Sequence, residues 1–139
     1  MSLRQSLANL FVSISPENPG AVEALRRLYA HDVVFQDPMQ RAHGVDAFIE
    51  LNRSLLAKAR TLSFTLTANV GSDEEFFFAW SMHFKPRIGP ALSVDGTSHI
   101  RAAGGLVYYH RDYWDIAALL ASGVPGGQSL LTAAMKPFV

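Results

Sequence analysis

Residues 22–51, VEALRRLYAHDVVFQDPMQRAHGVDAFIEL, change their periodicity within a single stretch. In AVEALRRLYA the apolar positions Val22, Leu25, Leu28 and Tyr29 fall on one helical face, with Arg26 and Arg27 on the wet side. DVVFQ then sets β-branched residues and Phe35 directly before Asp37 and Pro38, which predicts a short strand ended by a proline-containing loop. Gly44 precedes VDAFIELNRSLLAKA, where Val45, Phe48, Ile49, Leu55 and Leu56 again fit a helix.

Outward from this core the two flanks differ. Upstream, Leu3, Leu7, Leu10, Phe11 and Ile14 recur at three- and four-residue intervals, so LRQSLANLFVSI is read as a helix broken by SPENPG. Downstream of Arg60 the pattern turns to β. Leu62, Phe64, Leu66, Ala68 and Val70 alternate with polar residues, and EFFFAWSMHF is apolar on both faces. KPRIGPALS is read as a loop because its prolines and glycine cannot sit in a central ladder. VDGTSHIRAA and LVYYHRDYW flank Gly104-Gly105, a hairpin signal. Helices followed by a run of long strands read as α+β: helices packed on one face of a strongly curved antiparallel sheet, enclosing a conical pocket.

Composition bounds the function. The chain has 139 residues, 49% hydrophobic and 17% charged, as expected for one packed domain spanning 1–139. Twelve basic residues balance 12 acidic ones, leaving no field to attract nucleic acid or an anionic membrane. With 0 cysteines there is neither a disulfide framework nor a thiolate metal site. The N-terminus lacks a long apolar segment with a cleavage site, and no apolar run approaches the roughly 20 residues of a membrane span. A cytoplasmic protein is the resulting expectation. His43, His83 and His99 are too widely spaced to suggest a metal site, and no cofactor motif is present.

The stretch at residues 22–51 resembles the front half of the ketosteroid-isomerase and polyketide-cyclase (SnoaL-like) branch of the nuclear-transport-factor-2-like superfamily. There a helix ends in a "YA-D" pattern, a short strand ends in "DP", and a loop and glycine lead into the next helix. YHRDYWD, ending at Asp115, resembles that group's last strand. The resemblance implies a cone-shaped fold able to host isomerases, cyclases, hydrolases or plain binding modules.

On that resemblance, Asp37 takes the position of the ketosteroid-isomerase general base. Phe35 and Met39 beside it are expected to lower the local dielectric and disfavour its charged form. Read from its neighbours alone, Asp37 is equally a turn-former before proline. The family's oxyanion-binding tyrosine falls on Phe11, which cannot donate, and its protonated aspartate falls on Ser98. In the last strand, a cavity-facing Trp114 brings Leu106, Tyr108, His110 and Asp112 to the same side by period-2 alternation. His110 and Asp112 then serve as a proton shuttle and base, as the polyketide cyclases of this fold use a His and an Asp, or simply as a satisfied polar pair. The candidate catalytic residues are Asp37, His110 and Asp112; Phe11, Phe35, Met39, Ser98, Ile100 and Trp114 are the candidate ligand contacts.

The opposite face, with Asp95, His99, Arg101, Tyr109, Arg111 and Tyr113, has the composition of an interface, and a homodimer through it is expected. Residues 116–139 form a C-terminal extension in which SGVPGG precedes a short helix, QSLLTAAM, that folds over the sheet or cavity mouth, or packs on a partner. The expected function is binding of a small apolar molecule. It is either an acid–base isomerase or cyclase acting on a carbonyl compound, or a non-catalytic binding or dimerisation module.

Overall fold

The N-terminal helix α1 (Leu3–Val12) starts where the Ser2 hydroxyl accepts the Gln5 amide at 3.1 Å, a side-chain cap on an otherwise unpaired helix donor. It buries Leu7 and Ala8, and Ile14 enters the core just beyond its end. The structure is a computed structural model that describes residues 1–138. A second helix, α2 (Gly20–Ala24), tightens into a 3₁₀ turn at Leu25–Arg27.

The helix expected to run on through Tyr29 stops earlier. The Leu28 carbonyl accepts the Val107 amide at 2.8 Å, and Tyr29 pairs with Val107 as the first residue of β1 (Tyr29–Gln36). A distant strand thus captures a segment whose local spacing is helical. The loop after β1 contains a short strand, β2 (Arg41–His43), antiparallel to β1 and too brief for any periodicity to reveal. α3 (Val45–Lys58) follows as expected. Its buried face of Val45, Phe48, Ile49 and Leu56 contributes roughly 2 kcal/mol per large side chain.

Four long strands complete the sheet: β3 (Ala59–Gly71), β4 (Glu75–Pro86), β5 (Leu92–Ala103) and β6 (Leu106–Trp114). β4 runs on into Lys85 and Pro86, which the sequence assigns to the following loop; Pro86 sits at the strand end, opposite Ala59, where its missing donor does least harm. Gly104 and Gly105 adopt φ of 59° and 79°, the paired positive angles of a two-residue hairpin turn.

The spatial order is β2-β1-β6-β5-β4-β3. Every neighbouring pair is antiparallel except β1 and β6, which run parallel. The α+β expectation holds, but the sheet is mixed rather than wholly antiparallel. Its parallel pair joins segments from opposite ends of the chain.

Two of the sheet's register shifts bear on residues read as facing inward. One lies between Leu66 and Ala68, after which Ala68 and Val70 are exposed and Asn69 is half-buried, where the Arg4 guanidinium donates to its side-chain oxygen at 2.9 Å. The other, between Arg101 and Ala102, makes Tyr108 an extra residue in β6. Val107 is therefore buried while Leu106 and Tyr108 are exposed, so the inward set of this strand is shorter than simple alternation predicts.

The tail holds two helices where one was expected. Asp115 caps α4 (Ile116–Ser122) by accepting the Ala118 amide at 3.0 Å. α4 lies against β5, with Leu119 packed on the core and the Ser122 hydroxyl accepting the Ser93 amide at 2.9 Å. α5 (Gly127–Met135) packs on α4, and the backbone of Ala121 sits where a Cβ at Gly127 would be. Among the described residues no helix is long and apolar enough to cross a membrane.

Candidate functional site

α1, α3 and α4 close over the inner sheet face around a cavity of about 260 Å³. Aromatic rings form much of its wall: Phe11 packs 4.6 Å from Phe64, and Phe64 meets Trp80 edge-on at 6.0 Å. Leu119 of the tail completes the lining, so the extension contributes directly to the cavity.

One polar network interrupts this apolar wall. The Tyr29 hydroxyl lies 2.7 Å from His110 Nδ1, and His110 Nε2 lies 2.7 Å from Asp112 Oδ1. From the other side, Trp80 Nε1 donates to Ser98 Oγ at 2.9 Å, and Ser98 donates to the same Asp112 oxygen at 2.6 Å. Tyr29 is wholly buried, and that burial, with the Asp112 charge nearby, holds its phenol well above the ordinary tyrosine pKa. The phenol therefore stays protonated, and its hydroxyl and the Asp112 carboxylate engage the two ring nitrogens of His110 from opposite ends. Phe35 and Phe48 box the His110 ring at 5.1 and 5.7 Å, and it is 4% exposed.

Two donors thus converge on Oδ1 of Asp112. Oδ2 makes no hydrogen bond among the described residues, and no buried side-chain oxygen or nitrogen among them lacks a partner, so Oδ2 is the accessible atom. The Asp112 side chain is 18% exposed.

Asp37 comes to the same place through the parallel pairing. Gln36 sits beside Arg111, so the next residues along, Asp37 and Asp112, emerge side by side at the strand ends. Asp37, Asp112 and Trp114 line both the cavity and an open outer groove, which marks them as its mouth. The Asp37 carboxylate is engaged in its own turn: Oδ1 accepts the Met39 and Gln40 amides at 2.8 and 3.0 Å, and Oδ2 accepts Gln40 Nε2 at 3.2 Å. It both shapes the turn and borders the cavity.

The remaining sequence candidates divide. Phe11, Phe35, Met39 and Trp114 line the cavity, although Met39 is 68% exposed at the rim and does little to shield Asp37. Ser98 and Ile100 are fully buried and do not line it: Ser98 acts only through Asp112, and Ile100 belongs to the core. Sequence reasoning missed Tyr29, counted among helix residues, and Trp80, whose indole anchors Ser98. It also missed Asn52, a lining amide on α3 that gives one hydrogen to the Phe48 carbonyl at 2.9 Å and keeps a second. The polar Asn52 amid apolar α3 positions was the available signal. Among the described residues no group of three or more histidine, cysteine, aspartate or glutamate side chains could hold a metal ion.

A SnoaL-like domain is matched over residues 17–110. The chain belongs to the SnoaL-like family. The match ends at His110, so Asp112, Trp114 and the tail of this SnoaL-like protein lie beyond it. No curated protein matches it. Solved structures similar to it include an LEH-like epoxide hydrolase of M. tuberculosis, 11% identical over 96% of each chain with a TM-score of 0.72. A protein assigned to the SnoaL-like polyketide cyclases of Jannaschia sp. CCS1 is 15% identical over 86% of this chain and 89% of its own, also at 0.72. A protein of ketosteroid isomerase-like fold from Catenulispora acidiphila, solved with trimethylamine, is 20% identical over 78% of this chain and 84% of its own, at 0.67. At these identities the likeness shows a shared NTF2-like fold.

Proposed function

We propose that this SnoaL-like protein binds a small, largely apolar carbonyl compound and moves a proton at the carbon beside the carbonyl. The observation that carries the reading is the one carboxylate oxygen without a partner, Asp112 Oδ2, on a residue lining a largely apolar cavity, with its partner oxygen held by Ser98 and His110. Asp112 is the base. His110 and Ser98 fix its orientation, and Tyr29 holds the ring of His110 from its far side. The spare N–H of Asn52 is the donor available to the carbonyl oxygen as charge develops there.

The test is deuterium uptake from D₂O at the α-carbon of cyclic ketones and enones, followed by mass spectrometry. Exchange above the buffer rate supports the reading. Binding without exchange across such compounds turns the protein into a ligand-binding module. That second reading is favoured by one feature: the Tyr29 and Ser98 hydroxyls are both spent inside the network, leaving no hydroxyl to meet an enolate.

Asp37 borders the same mouth, and Asp37→Asn is expected to leave the fold intact while altering ligand affinity. The asparagine oxygen can still accept the Met39 and Gln40 amides, and only the Gln40 side-chain bond is lost, a cost of about 1 kcal/mol. A thermal melt and a ligand titration on the same sample check both halves.

The outer sheet face supports a second copy as partner. Phe77 is 39% exposed there and stacks on His99 at 4.4 Å; Glu75 bonds both His99 and Arg101, and the Arg111 guanidinium lies 4.7 Å over the Tyr113 ring. A face that carries aromatic rings, the carboxylate of Glu75 and the guanidinium of Arg101 can be self-complementary across a two-fold axis. Light scattering at micromolar concentration is expected to give twice the chain mass, and Phe77→Lys to give the chain mass; a monomeric parent protein removes the proposal.

A further inference from the structure

The cavity lining has an electrostatic bias that proton transfer by Asp112 does not explain. Its wall includes two carboxylates, Asp37 and Asp112, and no lysine or arginine. Arg111, next to Asp112 in sequence, lines only the outer groove and rests on the Tyr113 ring. No lysine or arginine therefore balances the two acids from within the cavity.

The surfaces beside those carboxylates are aromatic. Trp114 stands at the mouth with both aspartates, and Phe11, Phe64 and Trp80 form the wall further in. Aromatic faces attract cations, and a carboxylate at the rim of a low-dielectric space adds to that attraction. A neutral or anionic ligand would leave the charge uncompensated, whereas a cation would gain from every one of these groups.

We propose that the ligand is a small, largely apolar ammonium compound, its cationic nitrogen held at the mouth near Asp37 and Trp114 and its apolar body in the cavity. This rests on the reading of the cavity as the ligand site and adds the charge of what enters it. Asp112 remains free to act on the ligand's carbon skeleton.

The experiment compares two probes of the same shape, cyclohexylmethylamine, protonated at pH 7, and neutral cyclohexylmethanol, titrated by ligand-observed NMR against the full chain. The ammonium is expected to bind about tenfold tighter or more, with the preference shrinking as salt rises. The Asp37→Asn/Asp112→Asn double variant is expected to bind the two probes alike. If the double variant binds neither, Asp37→Asn alone decides: a reduced preference supports the proposal and an unchanged one overturns it. Equal affinities in the parent protein, tighter binding of the alcohol, no binding of either probe, or a preference that survives in the double variant also overturns it. Deuterium exchange on neutral ketones without an ammonium preference would sink this inference and leave the proton-transfer reading standing; an ammonium preference without exchange would do the reverse.

Discussion

Asp112→Asn is expected to lower deuterium exchange at the α-carbon by about 10²- to 10⁴-fold, the range over which a positioned general base acts. The substitution is nearly isosteric. Its amide oxygen can still accept from Ser98 and from His110 Nε2, so the buried network keeps its acceptor and the fold is expected to hold to within about 1 kcal/mol. What disappears is the charge on the unpartnered oxygen at the cavity mouth. A variant that melts like the parent protein and binds apolar ligand but exchanges no deuterium assigns the base to Asp112. One that exchanges at the parental rate removes Asp112 as the base and moves that role to Asp37.

Gly96→Ala is expected to destabilise the protein by about 2–4 kcal/mol, an unusually large effect for the addition of one methyl group. Gly96 pairs directly with Trp80 across β4 and β5, and a Cβ there would fall inside contact distance of the Trp80 ring carbons. The indole cannot retreat freely, because Phe11 and Phe64 flank it at 6.3 and 6.0 Å. Displacing it also breaks the 2.9 Å bond from Nε1 to Ser98, so the donor that orients Asp112 loses its own anchor. Urea denaturation should show the lower midpoint, and exchange activity per folded molecule should fall with it. An unchanged midpoint would mean that Trp80 is free to move and does not position the site.

These two residues show how unevenly the site was written in the chain. Asp112 is legible because it stands two residues from His110 and two from Trp114 in one strand, so a single alternation puts all of them on one side. The role of Gly96 is invisible until the strands are paired, since nothing near it in sequence indicates that Trp80 lies opposite. Tyr29 is a similar case. Its spacing from Val22 and Leu25 is that of a helix stripe, yet its hydroxyl meets His110 across a separation of 81 residues.

The local periodicity of apolar residues determined α1, α3, the alternating β half, the Gly104-Gly105 hairpin and thereby the α+β class. Such signals repeat every few residues, because burial of one face imposes the same spacing along a whole element. Tertiary structure alone decided the parallel β1–β6 pairing that sets Asp37 beside Asp112, the bulge that turns Leu106 and Tyr108 outward, and the placement of Leu119 in the cavity wall. Each depends on a single pairing between distant segments, whose free energy is won only when the chain closes on itself, so no repeated local pattern records it.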